Sequence, residues 1–141
     1  MNSLAVISIA TVCLVAAALG LEHQSTIIQP KDHLEQQRNS CINETGVDEA
    51  LIERVRKREE VQADTKLNCF YECMLKKITI MKSDGTIDKE VARTQITANT
   101  PNDKIDEVFN TCTTQAGNGT CETGGNVMGC LLKYEALTIF D

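Results

Sequence analysis

Residues 67–78, LNCFYECMLKKI, hold two cysteines four positions apart, Cys69 and Cys73, within a run rich in apolar side chains. The apolar residues recur at the spacing of one helix face, which predicts a helix over 64–80. Two cysteines four apart lie on the same side of such a helix, so each needs its own partner elsewhere in the chain. The apolar stripe consists of Leu67, Phe70, Tyr71, Met74, Leu75 and Ile78.

Six cysteines of the chain follow the spacing C-x27-C-x3-C-x38-C-x8-C-x8-C. An even set of cysteines in a short secreted chain indicates a disulfide framework, and the spacing by itself leaves the pairing open. The six are Cys41, Cys69, Cys73, Cys112, Cys121 and Cys130.

A seventh cysteine, Cys13, lies in an apolar run over 4–19 that ends before Gly20. The run is short for a membrane span and stands where the apolar region of a secretory signal belongs. We therefore expect a signal peptide over 1–20, cleavage after Gly20, and a secreted, extracellular protein of 21–141. An uncleaved membrane anchor is the alternative.

Charge and length limit the functions that the region 21–141 can have. It contains all 14 basic and all 20 acidic residues of the chain, which gives a net charge of −6. An acidic domain repels phosphate backbones, so nucleic-acid binding is excluded. A second apolar run is absent from the sequence, so we expect no membrane span, and the length suits one domain.

Helical periodicity and capping signals predict an all-α fold of about six helices. Asp48 and Asp88 precede apolar-periodic segments as N-caps, and Thr100–Asp103 has the form of a capping box with proline at the first helical position. Breaks are expected at Ser83–Gly85 and Gly117–Gly119. The helices are predicted over about 30–42, 48–58, 64–80, 88–98, 102–116 and 122–138.

A secreted helical domain with this cysteine spacing resembles the six-cysteine insect odorant-binding proteins, both pheromone-binding and general. The x3 interval between the second and third cysteines and the x8 interval between the fifth and sixth are hallmarks of that family, and the resemblance covers 21–141. It implies a compact helical domain around an apolar cavity, locked by three interlocked disulfides. The implied pairs are Cys41–Cys73, Cys69–Cys121 and Cys112–Cys130.

The resemblance also implies a carrier that binds odorants or pheromones and transports them through aqueous sensory fluid in olfaction. We expect the cavity that holds the hydrophobic ligand to be lined by apolar side chains and one tyrosine. These are Phe70, Met74, Ile78, Val91, Phe109, Val127, Met128, Leu131, Tyr134 and Leu137. Tyr134 is the candidate for a polar contact, and Ile139 and Phe140 are expected to close the cavity as a lid. Ordinary core packing and a frayed C-terminal end are the alternatives for these residues.

Other chemistry finds little support in the sequence. Neither a catalytic constellation nor a metal-ligand set is apparent, so we expect no enzyme activity, no cofactor and no metal. Asn43 and Asn118 begin glycosylation sequons in predicted loops. A sensory receptor or a second copy of the chain are candidate partners. A carrier outside olfaction and a secreted signalling protein with a solid core remain alternative functions.

Overall fold

The computed structural model describes residues 30–140, where six helices are joined by short turns and loops. Within those residues β-pairing is confined to one isolated antiparallel bridge between Met81 and Ile87. The all-α fold of six helices predicted from the sequence is therefore confirmed, whereas the expected signal peptide and Cys13 lie outside the described residues. The helices are α1 (Pro30–Thr45), α2 (Glu49–Arg56), α3 (Thr65–Lys77), α4 (Lys89–Asn99), α5 (Ile105–Cys112) and α6 (Thr120–Lys133).

Aspartate side chains cap the first turns of α2, α3 and α4; at α3, Asp64 accepts a hydrogen bond from the Leu67 N–H at 2.8 Å. Asp48 accepts a hydrogen bond from the Ala50 N–H at 2.9 Å, and Asp88 accepts two, from Glu90 and Val91, at 3.1 Å each. These bonds satisfy amide groups that have no partner inside the helix. Each negative charge also stabilises its helix by interacting with the positive end of the helix dipole. The two N-caps predicted at Asp48 and Asp88 are confirmed.

The ends of α5 and α6 differ from the sequence prediction. Thr100 is extended, with φ −123° and ψ 139°, as is usual before proline, and its hydroxyl caps nothing among the described residues. Residues 101–104 form a tight turn instead, and α5 begins at Ile105. At the other end, α6 stops at Lys133 and not near 138, because Glu135 adopts a left-handed conformation with φ 55°.

Three disulfides tie the helices together, and they join the pairs that the resemblance implied. Cys41–Cys73 connects α1 with α3, Cys69–Cys121 connects α3 with α6, and Cys112–Cys130 connects α5 with α6. Their S–S distances are 2.02, 2.05 and 1.98 Å. Since the second bridge begins inside the loop that the first closes, and the third begins inside the second, the three loops interlock.

Glycines on α6 allow the most extensive helix contact of the fold, between α3 and α6. A Cβ atom at Gly124 would stand 2.7 Å from the Cα and 2.8 Å from the backbone N of Glu72 on α3. Backbone atoms cannot move aside as a flexible side chain can, so only glycine fits at this position. The bridge between Cys69 and Cys121 holds the same two helices together.

We expect Gly124→Ala to lower the free energy of unfolding by about 1–3 kcal/mol, because the added methyl group forces α3 and α6 apart. Gly129→Ala is the matched control on the same helix, since a Cβ there meets no atom within 4 Å. The control should raise stability by up to about 1 kcal/mol through helix propensity. Urea denaturation of both variants checks this, and equal effects would show that the contact at Gly124 is not tight.

None of the helices in the described part of the chain is long and apolar enough to cross a membrane.

Candidate ligand-binding interior

One cluster of apolar side chains fills the interior, and α3, α6 and the C-terminal segment contribute most of the predicted lining residues to it. Eight of the twelve predicted residues are buried, with exposures between 0% and 8%. The other four are half-buried and pack against the cluster from its edge. The buried eight are Phe70, Met74, Val127, Met128, Leu131, Leu137, Ile139 and Phe140, and the edge residues are Ile78, Val91, Phe109 and Tyr134.

The sequence analysis left several interior residues out of the candidate lining. Ile96 of α4 and Val108 of α5 are fully buried, as are Ile80 and Met81, which follow α3. The spacing of apolar residues along a helix face could have identified Ile96 and Val108 as interior residues. Ile80 and Met81 are adjacent in sequence and lie beyond the helix, in the turn that leads to the bridge with Ile87, so helical spacing gives no signal for them.

The two tyrosines occupy different environments. Tyr134, the predicted polar contact, donates its hydroxyl hydrogen bond to the exposed carboxylate of Glu107 at 3.4 Å. A hydrogen bond from Lys104 lowers the pKa of that carboxyl, so the acceptor is ionised. Tyr71 is the buried tyrosine, 6% exposed, and burial raises the pKa of its phenol to about 12. A neutral phenol is thus present in the interior, but it belongs to Tyr71 and not to Tyr134.

Phe109 marks the outer edge of the cluster. The Arg93 guanidinium lies 4.2 Å from the centre of the Phe109 ring, and Asp106 holds the same guanidinium at 2.9 Å. The ring quadrupole attracts this guanidinium, and Arg93 is itself exposed to solvent. The side of Phe109 under Arg93 therefore faces outward.

The C-terminal segment, residues 136–140, is held by apolar contacts. Its alanine, Ala136, donates the hydrogen bond to the Leu131 carbonyl at 2.9 Å that closes α6. Beyond it, residues 137–140 make no backbone hydrogen bond to the other described residues. Leu137, Ile139 and Phe140 are nevertheless 7%, 4% and 8% exposed. Hydrophobic burial is therefore what keeps this segment in place.

Two surface clefts flank the C-terminal segment. One, of about 230 Å³, lies between the segment and the end of α2. The other, of about 450 Å³, is bordered by α1, the end of α3 and α4. Leu137 and Thr138 line both clefts, so this short segment is the wall that separates them.

An exposed ion pair between Arg58 and Glu135 spans the first cleft. Both residues follow a helix and adopt left-handed backbone conformations, with φ 60° and 55°. An ion pair this exposed contributes little to stability, about 0–1 kcal/mol. It joins the chain after α2 to the start of the C-terminal segment.

Cys69, Glu72 and Cys121 bring a carboxylate and two sulfurs within metal-binding distances of one another. Both sulfurs are joined in a disulfide, so neither can offer a thiolate to a metal. The Glu72 carboxylate is paired with Lys76 at 2.5 Å. The cluster is an internal contact between α3 and α6.

The two sequons differ in their surroundings. Asn118 is exposed in the loop before α6, as predicted. Asn43 is also exposed but lies in the last turn of α1, so the prediction of a loop there is wrong. The hydroxyl of Thr45, which completes this sequon, donates to the Cys41 carbonyl at 2.7 Å inside the helix.

The bridges, the helical frame and the apolar interior define the class of protein: a small all-helical domain tied by three disulfides around one apolar core. The chain belongs to the PBP/GOBP family, whose family model matches residues 23–134. General odorant-binding protein 69a of Drosophila melanogaster is 24% identical over 128 residues, covering 91% of this chain and 84% of that protein.

Solved structures share the fold. A fatty acid binding protein, OBP56a, from the oral disk of the blowfly Phormia regina superposes with a TM-score of 0.59 at 21% identity, covering 72% of this chain and 87% of that one. A medfly odorant-binding protein superposes with a TM-score of 0.57 at 26% identity, covering 76% and 91%.

Membership of this family defines the broad function. Odorant-binding proteins are secreted carriers of small hydrophobic molecules, and they are not enzymes. The protein is therefore a carrier of hydrophobic ligands.

Proposed function

We propose that this carrier takes up odorants or pheromones and transports them through aqueous sensory fluid. The observation that supports this most directly is the burial of the predicted lining residues of α3, α6 and the C-terminal segment in one apolar cluster. The disulfides Cys41–Cys73 and Cys69–Cys121 fix the helices on either side of that cluster. Such a frame keeps its shape while the interior exchanges apolar protein contacts for apolar ligand contacts.

Apolar burial supplies the binding free energy in this proposal. Removing apolar surface from water is worth roughly 25 cal/mol per Å², from which the entropy of capture is subtracted. We therefore expect dissociation constants on the order of 1 μM. Met74 and Met128, both fully buried, have flexible and polarisable side chains that adapt to ligands of different shape.

We further propose that the C-terminal segment, residues 136–140, is the lid of the binding site. It buries three large apolar side chains and, beyond Ala136, makes no backbone hydrogen bond to the other described residues, so its opening breaks mainly apolar contacts. The clefts on its two sides would merge when it moves, since Leu137 and Thr138 form the wall between them. Ligand entry and exit would then follow the opening of this segment.

Displacement of a fluorescent apolar probe from the disulfide-intact protein, 21–141, tests the proposal. The chain contains no tryptophan, so an extrinsic probe is needed. We expect uptake with a dissociation constant of about 1 μM and reversal by long-chain alcohols and aldehydes. Fatty acids belong in the same panel because the blowfly relative is a fatty acid binding protein by name. Absence of uptake by folded protein with three bridges would contradict the carrier function.

The panel and the site of expression together separate the alternatives. A carrier outside olfaction would also bind members of the panel, and its site of expression outside sensory organs would distinguish it. A secreted signalling protein with a solid core would bind neither. A sensory receptor or a second copy of the chain as partner is a further part of the proposal, to be tested by sedimentation with and without ligand.

A further inference from the structure

The cleft between α2 and the C-terminal segment is lined by apolar side chains and by an excess of positive charge. Leu137 and Phe140 belong to its apolar lining. Arg56 and Arg58 are its basic residues, against one acidic lining residue, Glu135. The chain as a whole is acidic, with a net charge of −6, so this positive excess is local. Such a lining is complementary to an amphiphile, a molecule with an anionic head and an apolar tail.

Both arginines have partners that are easily exchanged. The Arg58 guanidinium pairs with the Glu135 carboxylate, and the two side chains are 74% and 63% exposed. Arg56 is held more loosely, with 3.7 Å between its Nη1 and Oε1 of Glu53. Because an exposed ion pair gains little over solvation by water, a ligand carboxylate can replace Glu135 at little cost. The planar guanidinium can bind such a carboxylate through two parallel hydrogen bonds.

The backbone at Arg58 and Glu135 points to a role for these side chains other than stability. Both have a left-handed conformation, with φ 60° and 55°, and each directly follows the residue that ends its helix, Lys57 or Tyr134. Glycine is usual at this position, because a Cβ atom makes the left-handed conformation unfavourable. The exposed ion pair is too weak to compensate for two such residues, and strain of this kind is typical of functional sites.

The size of the cleft limits which part of a ligand it can hold. At about 230 Å³, it is smaller than ordinary ligand pockets, which enclose roughly 300–1,000 Å³. It therefore suits a head group and the first carbons of a chain. Leu137 lines this cleft and also the cleft of about 450 Å³ on the other side of the C-terminal segment. A longer tail would pass beneath that segment into apolar surroundings.

We propose that Arg58 binds the carboxylate head of an amphiphilic ligand, which takes the place of Glu135, while the hydrocarbon tail passes beneath the C-terminal segment. This inference rests on the proposed carrier function and names its ligand class: hydrocarbon chains that end in one carboxylate, as in a fatty acid. The charge-assisted hydrogen bonds to Arg58 fix the head. The exchange also releases Glu135, the residue before the proposed lid, from its link to the chain that follows α2.

Probe displacement by dodecanoate and dodecanol, at neutral pH and below the concentration at which either aggregates, tests the proposal. The two compounds share a tail and differ in the charge of the head, so the ratio of their affinities isolates recognition of the carboxylate. The ratio is measured in the wild type, Arg58→Gln, Glu135→Gln and Lys57→Gln. Lys57→Gln is the matched control, because it removes the same charge one residue away, from an exposed side chain outside the cleft lining.

We expect Arg58→Gln to lower the affinity for dodecanoate relative to dodecanol by about three- to tenfold. Glu135→Gln should raise this ratio by about two- to threefold, since Arg58 then has no competing carboxylate. Lys57→Gln should leave it unchanged. An unchanged ratio in Arg58→Gln or Glu135→Gln, or an equal loss in Lys57→Gln, would overturn the proposal and leave the carrier function standing. If the wild type binds neither compound, the carrier function fails and this inference fails with it.

Discussion

Replacing Cys69 and Cys121 together with alanine should lower the free energy of unfolding by about 4 kcal/mol. The bridge closes a loop with a sequence separation of 52 residues, and the unfolded chain gains the corresponding freedom when it is removed. It also fixes α3 against α6, the most extensive helix pair of the fold, so native packing is expected to loosen. Chemical denaturation under non-reducing conditions measures the effect.

The matched control is removal of Cys112–Cys130, with a sequence separation of 18 residues. Its loss should cost about 3 kcal/mol, less than that of Cys69–Cys121. The two bridges share α6, so the comparison varies loop length while keeping one helix in common. A larger loss from the shorter loop would mean that native packing, and not chain entropy, sets the contribution of these bridges.

Removing residues 137–141 should accelerate ligand dissociation by about tenfold or more, since each tenfold change requires only 1.4 kcal/mol. Leu137, Ile139 and Phe140 are buried, and each such side chain contributes roughly 1.5–3 kcal/mol by leaving water. The shortened protein should also be less stable, so the rate is measured under conditions where circular dichroism shows it folded. Stopped-flow release of the bound probe gives the rate.

Single substitutions separate the lid from general destabilisation. Phe140→Ala should raise the dissociation rate, whereas Thr97→Ala, at an exposed residue of α4 outside the lid, should leave it unchanged. Gly124→Ala provides a variant destabilised at the α3–α6 contact, at residues outside the lid. Equal rates for wild type and the shortened protein would contradict a lid, and so would equal acceleration by Gly124→Ala and Phe140→Ala.

The sequence predicted the helices better than their ends. Apolar periodicity and the caps at Asp48 and Asp88 are local signals. The structure has helices where the periodicity predicts them and capping hydrogen bonds at both aspartates. The apolar pattern continues past Lys133 through Leu137, which favoured a longer α6, but the left-handed Glu135 ends the helix. The pattern shows that a residue is buried, and it does not show whether a helix or an extended segment buries it.

The candidate site was predictable as a set of apolar faces and not in its polar details. Burial of Phe70 and Met74 follows from their position in the helix stripe. The tyrosines could not be distinguished, because the side to which Tyr71 or Tyr134 points depends on how the helices pack. Thr100 had the sequence signature of a cap, and only the extended backbone before Pro101 shows that its hydroxyl has a different environment.

The most direct test of the account is a nuclear magnetic resonance titration of the methionine methyl groups with decanol. The region 21–141 contains three methionines, Met74, Met81 and Met128, and all are 0–2% exposed. If the interior is the binding site, the methyl signals of Met74 and Met128 shift with the same dissociation constant that probe displacement gives. Met74→Leu and Met128→Leu assign the two signals. Saturating decanol that leaves both signals unmoved would show that the ligand binds elsewhere, and would contradict the account.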